Sequence, residues 1–189
     1  MVFFYNFTGV KRMSKQPKEG MLQVYTGNGK GKTTAAIGMA IRACGHGWKV
    51  LMISFMKGDP SYGEAKMAGR IPNFELIQSG LSSFVKKGNP SREDLKMARD
   101  GMEKARKAFG EGKYEMVILD EINVAVNYGL ISLESVIELI AQKPKELELV
   151  LTGRYAHPEV VKRADMVSEI LDIKHPYMKG IVDREGIEH

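Results

Sequence analysis

The sequence predicts an α/β protein: a doubly wound, largely parallel sheet of about six strands with helices packed on both faces. Three observations carry this expectation. Short apolar runs alternate with stretches of helical period along the chain from residue 21 onward. The run Lys49–Met56 is almost continuously apolar, as suits a parallel strand covered on both faces. The strand-like run Met21–Thr26 empties into a glycine-rich loop that opens an apolar helix. With 189 residues, 43% of them hydrophobic, the chain can bury one ordinary core, so residues 21–189 read as a single domain.

Residues 1–20 lack sustained periodicity and contain Gly9, Pro17 and Gly20, so they read as an arm, either mobile or laid on another surface, with Met13 as a second candidate start. Lys11, Arg12, Lys15 and Lys18 against Glu19 put three of the five net positive charges in this arm. The remainder is nearly neutral, which speaks against a nucleic-acid groove. The first helix is expected from about Lys32 to Cys44, ended by Gly45-His46-Gly47. After the strand at 49–56, the loop Lys57–Glu64 lies on the side where open α/β sheets bind ligands, and is a candidate wall of a site. A short helix and a strand at Phe74–Gln78 come next. The loop Gly80–Gly88 then carries Leu81, Phe84 and Val85, which suit either an ordinary packed loop or a ligand-facing surface. Ser91 to Asp94 have capping-box spacing, and the helix they open places Leu95, Ala98, Met102, Ala105 and Phe109 on one stripe. Gly110 and Gly112 end it. A buried strand, Met116–Glu121, finishes in two carboxylates. A helix at about Ser132–Gln142 follows, then a strand at Leu147–Leu151, a short helix opened by His157-Pro158-Glu159, and a last strand at Met166–Ile173.

The chemistry concentrates at Gly27–Thr34. Gly27, Gly29 and Gly31 let backbone N–H groups approach an anion, Lys32 adds charge, Thr33 offers a hydroxyl to Mg²⁺, and the helix dipole favours phosphate. The usual G-x-x-x-x-G-K-[ST] pattern needs glycine at position 26, where this chain has Thr26, so the loop is one residue short. A plain glycine-rich turn is the competing reading, but three glycines cost conformational entropy that such a turn does not require. Asp120 and Glu121 alone read as a helix-capping pair. Beside a phosphate loop they read as carboxylates for the metal that Thr33 also holds. Arg154, at a strand's C-terminal end, suits a triphosphate. The expected fold is therefore the three-layer P-loop NTPase (RecA-like) arrangement.

No Asn-Lys-x-Asp run for guanine is present, which leans towards ATP, and no Ser-His-Asp or Cys-His constellation is evident. Cys44 is the only cysteine, which excludes an internal disulfide and a cysteine cluster for zinc, points to a reducing cytoplasm, and reads as a buried small residue. The apolar start Val2–Tyr5 is too short for a signal peptide, and no stretch approaches the roughly 20 apolar residues of a membrane span. The residues thus support a Mg²⁺-dependent ATP site without naming the acceptor. A small-molecule kinase and a RecA-like ATPase module remain open, although the missing first glycine counts against both.

The stretches Thr26–Ala36, Arg42–Gly47, Phe55–Gly58 with Gly63-Glu64, Leu119–Glu121, Leu151–Arg154, Ala164–Glu169, Lys174–Tyr177 and Gly186–Glu188 appear in this order. Together they resemble the phosphate-loop ATP:corrinoid adenosyltransferases, the cob(I)yrinic acid a,c-diamide adenosyltransferase family, from about residue 21 to 189. The resemblance implies transfer of the 5′-deoxyadenosyl group of ATP to the Co(I) centre of a corrinoid (cobalamin, cobinamide or cobyrinic acid a,c-diamide), with triphosphate leaving. It also offers a reason for the short loop, since the family binds ATP reversed, with the 5′-carbon facing the acceptor. By resemblance, Gly27, Asn28, Gly29, Lys30, Gly31, Lys32, Thr33 and Thr34 hold the triphosphate with Arg154. Lys30 and Lys32 neutralise the leaving group, and Thr33 with Glu121 and Asp120 holds Mg²⁺. The family presses aromatic side chains on the corrinoid's lower face. Its enterobacterial members carry an aromatic pair where this chain has Leu81-Ser82-Ser83, so Phe84, helped by Leu81 and Val85, is the expected counterpart. The resemblance further implies a homodimer, an electron donor (a reductase or flavoprotein) to supply Co(I), and an N-terminal segment able to cover a partner's corrinoid.

Overall fold

The computed structural model describes residues 19–83, 85–180 and 184–187, with the exception of the side chains at 176 and 177. The expected arm at 1–18 and Phe84 lie outside the described residues.

Six strands form one sheet: β1 (Leu22–Thr26), β2 (Val50–Phe55), β3 (Phe74–Ser79), β4 (Met116–Asp120), β5 (Glu148–Thr152) and β6 (Met166–Glu169). Their order across the sheet is β3-β2-β4-β5-β1-β6, and every pairing is parallel. Helices α1 (Lys32–Gly45), α2 (Gly63–Ala68), α3 (Arg92–Glu111), α4 (Ile122–Asn127), α5 (Leu133–Ala141) and α6 (Pro158–Val161) connect them, and a 3₁₀ turn, Pro176–Lys179, follows β6. The α/β P-loop-type expectation holds, and the largely parallel sheet is wholly parallel.

Two cores sandwich the sheet. On one face Ala36, Ala40 and Ala43 of α1 pack on Val50, Met52, Ile118 and Val150. On the other, Ala98, Met102, Ala105 and Phe109 of α3, with residues of α4 and α5, pack on Leu51, Ile53, Val117 and Leu149. Successive residues of β2 enter opposite cores, which explains why that strand reads as continuously apolar. The stripe expected on α3 is the buried one, and Ser91 and Asp94 form the reciprocal capping box. Gly112, with φ 60, closes that helix in the left-handed region.

Three expectations need correction. β4 ends at Asp120, not Glu121. Glu121 adopts φ 60 and becomes the N-cap of α4, so the helix-capping alternative holds for Glu121. β6 stops at Glu169, because the chain beyond it turns to brace the glycine loop: Gly29 N–H donates to the Ile170 carbonyl (2.8 Å). Cys44 is half-buried rather than buried, packed beside α1's core face, and burial raises its thiol pKa, which suits an inert thiol.

Candidate functional site

The site is built along the C-terminal edge of the sheet, beneath the start of α1. Gly27 and Gly31 take φ 92 and φ 114, conformations that a side chain strongly disfavours. A Cβ at Gly29 would collide with the Leu171 carbonyl oxygen, so the loop lies against the chain that leaves β6. Gly31 precedes α1 with no side-chain cap, so the helix's first N–H groups are left facing the loop's concavity. Lys32 is only 7% exposed and donates from Nζ to the Gly29 carbonyl at 2.5 Å, closing the loop on itself. Burial pushes the Lys32 pKa down, aided by Arg154 and opposed by Glu121 and Asp120.

A polar row crosses the sheet under this loop. Ser54, Asp120 and Thr152 sit at the ends of three adjacent strands, and Ser54 is in register with Asp120. All three are buried. Asp120 Oδ1 accepts from the Thr33 hydroxyl (2.8 Å) and the Thr152 hydroxyl (2.7 Å), while Oδ2 accepts from Lys57 Nζ (2.8 Å). Thr152 Oγ1 in turn accepts from the Glu121 backbone N–H at 3.0 Å. This chain of bonds explains the local backbone. Glu121 is held in its strained φ by a partner on the neighbouring strand, and its side chain is thereby turned away from that of Asp120. Burial, reinforced by the Asp120 charge, raises the Glu121 pKa, with Lys57, Lys32 and Arg154 pulling it back. Lys57 is half-buried, and desolvation alone would lower its pKa, but the charge and hydrogen bond of Asp120, with Glu121 and Glu64, leave it raised.

These groups line a cleft of about 1020 Å³. Gly29 to Thr34, Glu121 and Arg154 face it, and so do Lys57, Tyr62, Gly63 and Glu64 from the loop anticipated as a site wall. Gly27 and Asn28 do not line it; they shape the loop from behind. Asp120 does not line it either, being fully buried beneath Thr33. Leu81 and Val85 are half-buried and lie off the cleft, and Val85 packs against the core. Their loop nevertheless reaches the rim: Lys87 Nζ stands 5.5 Å and 5.8 Å from the ring centroids of Tyr155 and Tyr128, two residues that line the cleft. Asp172, His175, Met178 and Ile187 border it from the C-terminal segment.

Lys57 and Thr152 were not among the residues singled out from sequence. Lys57 had a signal, a lysine directly after a buried strand in the loop marked as a wall. Thr152 entered only as part of the stretch Leu151–Arg154, because its own role is set by a carboxylate 32 positions away. Among the described residues no group of three or more His, Cys, Asp or Glu side chains converges. A hard divalent cation carried in on phosphates needs only one or two protein oxygens, and the Thr33 hydroxyl with the Glu121 carboxylate, both on the cleft, fit that demand. Among the described residues no helix is long and apolar enough to cross a membrane.

Comparison with known proteins gives the family. The family described as ATP:corrinoid adenosyltransferase BtuR/CobO/CobP matches residues 18–189. The chain is 34% identical over 174 residues to the corrinoid adenosyltransferase of Escherichia coli K12, covering 92% of this chain and 88% of the relative. It is 34% identical over 171 residues to that of Pseudomonas aeruginosa (90% and 84%). Against corrinoid adenosyltransferase CobA of Salmonella typhimurium it is 33% identical over 174 residues (92% and 88%).

Proposed function

Since the chain belongs to the ATP:corrinoid adenosyltransferase family, we propose how its own residues divide the work of that reaction. The protein is an enzyme that transfers the 5′-deoxyadenosyl group of ATP to the Co(I) centre of a corrinoid and releases triphosphate. The bond formed is Co–C5′, the bond broken is C5′–O, and the electron pair of that bond leaves on the triphosphate. The attacking pair is cobalt's own, so no side-chain nucleophile is required.

In this reading the protein acts on the leaving group. The loop from Gly27 to Thr34 wraps the triphosphate, with Gly31 and the first N–H groups of α1 as donors, while the Gly29 N–H is spent on the Ile170 carbonyl and braces the loop. Lys30, Lys32 and Arg154 balance the charge that grows as C5′–O breaks. Lys32, held in the loop, is already aimed, so little reorganisation accompanies the step. Thr33 and Glu121 hold Mg²⁺, which when bound offsets phosphate charge and fixes the chain's orientation. Asp120 supports this from beneath: by accepting the Thr33 hydroxyl's hydrogen bond it leaves that oxygen's lone pairs free for the cleft. The observation that carries the proposal is the convergence of Lys32, Lys57, Glu121 and Arg154 with the glycine loop on one cleft.

The corrinoid face is assigned, on the resemblance, to Phe84 with help from Leu81 and Val85. The contact of Lys87 with the two rim tyrosines supports a role for that loop beside the cleft. If Phe84→Ala leaves corrinoid adenosylation unchanged, that assignment is wrong. A homodimer, an electron donor that delivers Co(I), and a cytoplasmic location belong to the same reading. Exposed Leu171, Ile173 and Met178 support a dimer, which light scattering would test by giving twice the chain mass.

The deciding experiment is anaerobic incubation with Mg-ATP and chemically reduced cob(I)alamin, following the cobalt spectrum and separating the phosphate products. Co–C absorbance appearing with stoichiometric triphosphate is expected, and both should disappear when EDTA removes the divalent ion. ADP without a spectral change would overturn the reading in favour of a kinase or an ATPase.

A further inference from the structure

Lys57 places an ammonium where a hard cation would compete for oxygens. Its Nζ lies 2.8 Å from Asp120 Oδ2 and 3.4 Å from Thr33 Oγ1. The Thr33 proton is spent on Asp120 Oδ1, so what Thr33 turns towards Lys57 is an acceptor lone pair, the same one a metal would use. Asp120 is fully buried and its two oxygens already hold three donors. Without the ammonium, the buried Asp120 carboxylate and the Thr33 hydroxyl bonded to it would be left uncompensated beside the cleft that Glu121 also lines, oxygens suited to a free divalent ion.

The backbone that carries Lys57 is pinned. Met56 N–H donates to the Ser79 carbonyl at 3.3 Å, and a Cβ at Gly58 would collide with the Gly80 carbonyl oxygen. Only the side chain is free to respond, and it borders the cleft that Lys32 and Arg154 also face. An entering phosphate chain offers the ammonium a second anionic partner within reach of its stem.

We propose that Lys57 is a positioning residue that reserves the metal site: it neutralises Asp120, excludes free divalent ions from Thr33 and Asp120, and yields to the metal only when the metal arrives with ATP. This rests on the reading that Thr33 and Glu121 hold the metal. It adds that the metal enters as the nucleotide complex, and that a charge on this chain enforces that order.

Mn²⁺ binding to the full-length protein without corrinoid tests it, read in electron paramagnetic resonance from the loss of free-ion signal without ATP and, with ATP, from the Mn²⁺ retained with the protein beyond what matched ATP alone accounts for. Wild type should bind Mn²⁺ with ATP and not measurably without it. Lys57→Met should bind Mn²⁺ without nucleotide at least about tenfold more tightly than wild type, a modest expectation for removing a unit charge a few ångströms away. Lys57→Gln, which keeps a hydrogen-bond donor for Asp120 and so guards against misfolding, should show the same gain. Lys57→Arg should behave as wild type, and Lys57→Met with Asp120→Asn should lose the gain because the released carboxylate is gone. Equal Mn²⁺ binding by wild type with and without ATP would overturn the proposal, as would no gain in the Met and Gln variants. Failure of wild type to bind Mn²⁺ even with ATP would overturn the metal site itself and the inference with it.

Discussion

Thr152 shows how much one buried hydroxyl can hold in place. It donates to Asp120 Oδ1 and accepts from the Glu121 N–H, so the carboxylate beneath Thr33 and the strained turn that aims Glu121 share one anchor. Thr152→Val, nearly the same shape, should lower stability by about 1–3 kcal/mol, because it leaves a buried N–H without its partner. Urea unfolding would measure this, and Thr152→Ser should recover most of the loss. Activity should fall further than stability alone explains, since Glu121 loses its aim. At Gly29 the argument is steric. Gly29→Ala should weaken ATP binding, measured by titration calorimetry, by about tenfold or more while leaving the sheet folded, because the new methyl must push the loop off the Leu171 carbonyl. At this scale the phosphate loop was legible because its residues are contiguous and glycine is diagnostic. Lys57 and Thr152 were not, because each acquires its role from Asp120, 63 and 32 positions away.

Among the elements, α3 was the easiest to read: a capping box starts it, a 3.6-residue stripe faces the core and glycine stops it. Ser91→Ala should cost about 1 kcal/mol in thermal unfolding, as the loss of an N-cap acceptor typically does. After α3, the loop into β4 is tied to β3, since Tyr114 OH donates to Glu75 Oε2 at 2.6 Å and Lys113 Nζ approaches the same oxygen at 3.2 Å. The Tyr114 hydrogen bond is the main influence that lowers the Glu75 pKa, helped by Lys113 and opposed by partial burial. A depressed carboxylate pKa means that the stabilisation is present above the ordinary glutamate value and is lost as pH falls through the lower folded value. Tyr114→Phe should therefore melt below wild type at neutral pH, and the gap should close as the pH falls below that range. The effect should be small because the Tyr114 and Glu75 side chains are both partly exposed. Helix α4 was the element least legible. Six residues, Ile-Asn-Val-Ala-Val-Asn, have weak helix propensity, and the left-handed turn at Glu121 that launches them is imposed by Thr152 from another strand.

Across the whole molecule, the parallel sheet sends every strand's C-terminal end to one edge, so a phosphate loop, a carboxylate and an arginine far apart in sequence meet at a single cleft. The described fold is anchored at its start through Gly20, whose N–H donates to the Lys145 carbonyl and whose carbonyl accepts from Lys143 Nζ. Deleting residues 1–18 should accordingly shift Tm by no more than about 2 °C. It should raise the KM for corrinoid more than that for ATP if the arm covers the corrinoid, and equal effects on both would count against a lid. By itself the sequence determined the alternation of strands and helices, the two-sided burial of the sheet, the phosphate loop and, through ordered motifs, the family, because all of these are written in local periodicity, in glycine spacing and in motif order. Only the tertiary structure decided that the adjacent carboxylates Asp120 and Glu121 part company: Asp120 is buried under Thr33 and clamped by Lys57, while Glu121 lines the cleft. The reason is physical. Hydrogen bonds from β5, α1 and the loop after β2 converge on one buried carboxylate, and no local pattern records which distant donors will reach it.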